Sequence, residues 1–327
     1  MRPIILAAAA CVVSLSAPAR AEVQVVASII PVHSLISGVM EGVGKPHLLV
    51  PAGASLHTFA LRPSDARRLE QAQAVFWVGP TLETFLDRPL KALARKAEVV
   101  ALAGADGVKQ LPFREGGPWD EHADGDEPGK HGEKSRSDTG HAQEHGHDHG
   151  HAHHGTDGHI WLDPKNAIAM TRTIAKELGH VDPANKARYE ANAAGIAARI
   201  EELDKELAAE LAPLKGERYI VFHDAYQYFE ARYGLTPAGS ITVSPETSPG
   251  AKRITEIRTR VLKDRATCVF SEPQFEPRLV ASLVQGTQAK TAALDPEGAT
   301  VDPGPEAYFD IMRKLARSLT GCLTGRK

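Results

Sequence analysis

Short apolar runs alternate along this chain with longer stretches in which apolar residues recur every three or four positions. In the first part, 23–29, 48–50, 74–78 and 99–102 are rich in Val, Ile, Leu, Phe and Ala, with little polar alternation. Runs of that kind read as strands buried on both faces, which argues for a parallel sheet covered by helices. Between them, 32–43 has helical periodicity. So does the stretch opened by Arg62-Pro63-Ser64-Asp65 and continuing to Ala72, where Pro63 supplies a helix start signal. The rhythm resumes after 217, with strands at 218–222, 240–243, 267–270 and 290–294 alternating with helices at 225–233, 251–263, 277–285 and 305–319.

The two halves are joined by a different pattern. Asp163-Pro164-Lys165-Asn166 opens a helix to about Leu178, and Asp182-Pro183 carries the N-cap and N1 signature of another. From Ala184 to Leu211 there is no Pro and a single glycine, Gly195, while Ile196, Ile200, Leu203, Leu207 and Leu211 form one apolar stripe. This predicts a helix of roughly 28 residues, about 40 Å long. The fold class that follows is α/β, with two similar lobes, each a mostly parallel sheet flanked by helices, joined by one long rigid linker helix. The expected boundaries are 22–180 for the N-terminal lobe, 181–212 for the linker helix and 213–327 for the C-terminal lobe. A single three-layer domain with the long helix as a cover is the alternative parse.

One interval breaks the pattern. About 115–158 has almost nothing apolar to bury, yet it holds nine of the 15 histidines: His122, His131, His141, His145, His147, His149, His151, His153 and His154. Its Gly, Asp, Glu and Lys content predicts a long disordered loop. Neutral imidazole is a good ligand for zinc, copper and nickel, so the tract points to transition metals. A disordered tract binds them weakly and in many arrangements; a selective site needs ligands on rigid elements.

The chain opens with a charged start, an apolar stretch from Ile4 to Leu15 and small residues to Ala21, which reads as a secretory signal over 1–21. The apolar stretch is shorter than the roughly 20 residues that span a bilayer, so stable membrane insertion is not expected. Cys11 lacks the sequence context of a lipid anchor. Two cysteines then remain, Cys268 and Cys322, and an even pair in an oxidising compartment is expected to form a disulfide. The formal charge of −3 and the lack of a basic stripe give no reason to expect nucleic acid binding.

Outside the tract, His57 lies in a Gly-containing loop after the strand at 48–50, and His159 lies where the tract gives way to Ile160-Trp161-Leu162. His223 ends the strand at 218–222, and Asp295 ends the strand at 290–294. Strand ends are where a sheet protein aims side chains into a cleft. Three imidazoles and at most one carboxylate suit zinc better than manganese, which takes more oxygen ligands. His33, His47 and His180 sit at element starts or ends and are weaker candidates.

Several local words then become specific together: Pro31-Val-His-Ser-Leu, His57-Thr-Phe-Ala-Leu-Arg-Pro-Ser-Asp65, His159-Ile-Trp-Leu-Asp-Pro164, His223-Asp-Ala-Tyr-Gln-Tyr-Phe229 and Leu294-Asp-Pro296. In this order the chain resembles the zinc-specific solute-binding proteins of bacterial ABC uptake transporters. The resemblance implies a periplasmic, monomeric, non-enzymatic protein that captures zinc between two lobes and delivers it to a membrane permease. It implies His57, His159 and His223 as ligands, with Asp295 or water in fourth place, and a C-lobe disulfide between Cys268 and Cys322. Some members carry Glu just before the first ligand; here that residue is Leu56. The tract, with His141, His145, His147, His149, His151, His153 and His154, becomes a low-affinity collector or sensor. Asp224 and Glu272 are possible partners of the ligand imidazoles by position.

Two other functions compete: an exported zinc hydrolase using Glu272 or Asp295 as a base, and a surface protein using the tract for adhesion or metal buffering. Deleting 118–156 is expected to leave one tight zinc per protein in calorimetry and to remove the weaker ones. Loss of the tight site would contradict the division between rigid ligands and flexible collector.

Overall fold

The computed structural model describes residues 22–114, 119, 155–242, 245, 249–275 and 278–325. The expected leader, Cys11 and the seven candidate histidines from His141 to His154 lie outside the described residues. The alternation of apolar runs and helical stretches resolves into two four-stranded parallel sheets. The first contains β1 (Val25–Ala27), β2 (His47–Leu48), β3 (Ala74–Trp77) and β4 (Glu98–Ala101) in the order β2-β1-β3-β4. The second contains β5 (Tyr219–His223), β6 (Gly239–Thr242), β7 (Cys268–Ser271) and β8 (Lys290–Ala293) in the order β6-β5-β7-β8. Both sheets follow one plan. The chain enters an interior strand, steps to one side and then crosses to the other, so strand order reverses between β1 and β3 and again between β5 and β7. Crevices at the carboxyl ends of such strands are the usual ligand positions.

The helices are α1 (Ile30–Val39), α2 (Pro63–Gln71), α3 (Thr84–Leu93), α4 (Pro164–Val181), α5 (Lys186–Leu211), α6 (Gln227–Tyr233), α7 (Ala251–Lys263), α8 (Arg278–Val284) and α9 (Ala307–Thr324). Local chemistry explains where several begin. The Asp163 carboxylate accepts the Lys165 amide at 2.9 Å and Pro164 fills the first turn of α4, while the Asp65 carboxylate accepts the Arg62 amide at 2.9 Å at the start of α2. The 26-residue α5 is the predicted long helix, about 39 Å at 1.5 Å per residue. It buries Tyr189, Ala193, Ile196, Ala197, Ile200, Leu203, Leu207 and Leu211.

That stripe lies inside one continuous hydrophobic core. The same cluster takes in Val25, Ala27 and Phe76 from the first sheet, Val221 and Phe270 from the second, and Ile311, Leu315 and Leu319 from α9. Close approach is helped by Gly38 of α1, where an added Cβ would stand 2.6 Å from Cδ1 of Ile196. Smaller clusters cover the outer face of each sheet. A disulfide joins Cys268 of β7 to Cys322 and closes a separation of 54 residues. In the chain-entropy account this contributes about 4 kcal/mol.

Two elements differ from the sequence expectation. The stretch 84–93 is helical although Pro89 stands inside it, and the pattern analysis left it unassigned. Burial of Leu86 and Leu90 against the outer face of the first sheet holds the helix around the proline. Cys322, expected just after the closing helix, lies within α9, which runs on to Thr324.

At the carboxyl ends of β1 and β3 the crevice of the first sheet is filled by Glu83. Its Oε2 accepts the Val78 and Gly79 amides at 2.6 and 3.0 Å, and the side chain is wholly buried. Burial raises its pKa from 4.5 to about 7, against the opposing effect of the Ser28 hydroxyl and the two amides. With the folded value above the unfolded one, the fold prefers the protonated acid. That contribution to stability is complete below about pH 4.5 and is lost as the pH rises toward 7. Thermal melts of Glu83→Gln should therefore show a smaller loss of stability between pH 5 and pH 8 than the parent; an equal loss would contradict this linkage.

Candidate metal centre

Three histidines reach one point from three kinds of local structure. His57 lies in the turn between β2 and α2, its amide held by the Ser55 hydroxyl at 3.2 Å. His159 immediately precedes the single 3-10 turn Ile160–Leu162 that leads into α4. His223 is the last residue of β5, at the point where strand order reverses in the second sheet. The ring centroids stand 6.0 Å apart for His57 and His159, 5.4 Å for His57 and His223, and 5.3 Å for His159 and His223. One ring nitrogen from each lies within 4.8 Å of the other two. Among the described residues this is the one group of three or more His, Cys, Asp or Glu side chains that converges in this way.

Carboxylates behind the rings set which nitrogen faces inward. His159 Nδ1 is 2.7 Å from Asp157 Oδ1, which also accepts the His159 amide at 3.0 Å. His223 Nδ1 is 2.8 Å from both oxygens of Glu272, and the Tyr226 hydroxyl donates to the same carboxylate at 2.9 Å. With Nδ1–H donating to an acid, the Nε2 lone pair is left pointing into the cleft, and the two Nε2 atoms approach to 3.4 Å. His57 Nε2 is buried without a hydrogen-bond partner. Burial, and then the neighbouring His223 and His159, push the His57 pKa down to about 2, so this imidazole is neutral and free to donate its lone pair. Burial works to lower the His223 pKa as well, but Glu272 outweighs it and the value is raised.

Such a cluster of converging ring nitrogens matches a tetrahedral cation with imidazole ligands. Residues 25–322 match the family model for the zinc-uptake complex component A, periplasmic. The chain belongs to this family. High-affinity zinc uptake system protein ZnuA of Brucella suis is 49% identical over 307 residues, covering 92% of this chain and 91% of its own length. The protein of the same name from Paracoccus denitrificans is 39% identical over 326 residues, covering 99% of each. A solved structure described as the crystal structure of ZnuA superposes with a TM-score of 0.73 at 25% identity, covering 93% of this chain and all of that one. No described helix is long and apolar enough to cross a membrane.

In this zinc-uptake family member the fourth candidate, Asp295, does not join the three histidines. Its Oδ1 accepts the Ala299 amide at 2.8 Å, and its Oδ2 accepts the Thr300 amide and hydroxyl at 2.8 and 2.7 Å. Two residues on, Glu297 faces the cluster instead, with Oε1 3.7 Å from His57 Nε2. Burial raises its pKa to about 8, against the opposing Leu56 amide. Of the two acids placed near the rings by sequence position, Glu272 does hold His223. Asp224 instead pairs with Arg114, which also reaches Glu230 at 2.7 Å. Asp157 was missed in the sequence, although an acid two residues before a candidate histidine is the signal that could have found it.

The ends of the histidine-rich insertion are pinned beside this site. Phe113 and Gly155 pair at 3.2 Å, and Pro112 and Thr156 form an antiparallel bridge. From α6, the Tyr228 hydroxyl accepts the Leu111 amide at 2.9 Å and donates to the Asp157 carbonyl at 2.7 Å, while Gln227 donates to the Pro112 carbonyl at 2.9 Å. A deletion carried to 156 would cut this neck and loosen Asp157, so an excision that tests the loop alone must stop at 154.

Proposed function

We propose that this chain captures zinc with high affinity in the periplasm and hands it to the membrane permease of an ABC importer. The observation that carries the reading is the convergence of His57, His159 and His223 from both lobes, with Asp157 and Glu272 fixing two of the rings from behind. His57 and His159 come from the first lobe and His223 from the second, so a bound ion is gripped from both sides. The nitrogen-rich set favours zinc over manganese. The names of the family relatives support the same cargo and the same uptake role. The loop histidines, His141 through His154, act in this reading as weak collectors tethered next to the entrance.

Binding fits the geometry better than hydrolysis. Glu272 is committed to His223 and Tyr226, and Asp295 to its own turn. Neither is free to act as a general base on a metal-bound water.

Replacing His159 or His223 by Ala should each abolish tight zinc binding in competition with a chromogenic chelator while weak binding persists. Affinity retained within threefold in both variants would show the ligand assignment to be wrong. Glu272→Gln should weaken tight binding by about 10- to 100-fold, because the orienting carboxylate raises imidazole basicity. Unchanged affinity there would remove the role assigned to the acid behind His223.

A further inference from the structure

We infer that Glu297 is the fourth zinc ligand and closes the tetrahedron with its Oε1 oxygen; this rests on the reading of the three histidines as zinc ligands. Glu297 is 5% exposed, and its Oε1 is buried without a hydrogen-bond partner. It faces His57 Nε2 at 3.7 Å, an atom that is itself buried and unpartnered. Two buried polar atoms left without partners and aimed at each other mark the place of something that satisfies both.

Two of the distances lie near a tetrahedral edge. Zinc bonds of about 2.0 to 2.1 Å imply ligand-to-ligand edges of about 3.4 Å. His159 Nε2 and His223 Nε2 stand 3.4 Å apart, and His57 Nε2 and Glu297 Oε1 stand 3.7 Å apart. The three ring nitrogens already lie within 4.8 Å of one another, and Glu297 stands just outside that group, against His57, so it joins an ion there by closing further on the cluster. A carboxylate ligand, deprotonated by the ion it binds, would add one negative charge beside a divalent ion in a buried place.

The local fold is built to present this oxygen. The other carboxylate oxygen, Oε2, accepts the Leu56 amide at 3.3 Å, so Glu297 is anchored to the residue before His57 across the cleft. Asp295 closes the turn from 295 to 300 and holds Glu297 in position. Gly298 lets the chain bend away at once, with φ of +80° and no room for a Cβ beside Ile311. Asp295 is thus a positioning residue for the acid two places later.

The test uses the full chain stripped of metal, comparing the parent with Glu297→Gln, Glu297→Ala and His159→Ala. Zinc affinity is read by chelator competition, and geometry by the visible absorption of one equivalent of cobalt(II). Both Glu297 variants should lose at least tenfold in zinc affinity and show altered cobalt bands. Glutamine can still accept the Leu56 amide, so a purely structural role would leave the Glu297→Gln cobalt spectrum as in the parent, and that result would overturn the proposal. Affinity within threefold of the parent in both Glu297 variants would overturn it too. If His159→Ala also kept full affinity, the failure would lie in the three-histidine reading itself.

Discussion

Converging imidazole lone pairs repel one another unless a cation sits among them, and neutral rings converge through Nε2 only if the proton is held on Nδ1. Both conditions are met by position. Asp157 and Glu272 accept hydrogen bonds from Nδ1–H of His159 and His223, and the rings are buried where water cannot compete for the nitrogens. Much of the surrounding structure serves this arrangement. Tyr226 steadies Glu272, Tyr228 ties the carbonyl of Asp157 to α6, and the Trp161 indole donates to the Pro296 carbonyl at 2.9 Å across the cleft. Removing one of these contacts would act on metal affinity through the aim of a ring rather than through direct bonding.

The second constraint is the shared core. Two lobes with separate cores could swing apart on a hinge, but here α5 packs into an apolar body that includes inner-face residues of both sheets and α9. Wide opening would expose that surface to water or bend a continuous helix. Small movements of the loops carrying His57, His159 and Glu297 are the less costly way to admit and release an ion, since those residues lie on turns rather than in strands. His223, at the end of a central strand, is the fixed member of the set.

Most of the fold was legible because it depends on local pattern. The buried strands are uninterrupted apolar runs, and the α5 stripe has the helical period over its whole length. α3 was not legible, because Pro89 is a breaker by local rules and the helix is held by burial of Leu86 and Leu90. The three histidines stood out by residue type next to strand or loop boundaries. The acid facing them did not. Asp295 ends a strand and invites selection by that rule, yet its oxygens are consumed by the next turn, and Glu297 is exposed as the better placed group only by tertiary contact with Leu56 and His57.

The matching strand orders of the two sheets make the molecule a pseudo-symmetric pair, with one crevice at each reversal of strand order. In the second sheet that crevice holds His223 at the end of β5 and Glu272 just beyond β7. In the first sheet the corresponding place is plugged by the carboxylate of Glu83, clamped on the amides that follow β3. The two crevices of the repeated scaffold thereby end differently, one lined by an imidazole and its acid and the other filled by the chain's own carboxylate. The repeat of the scaffold is therefore not a repeat of the site, and the difference is made by a side chain outside the histidine cluster.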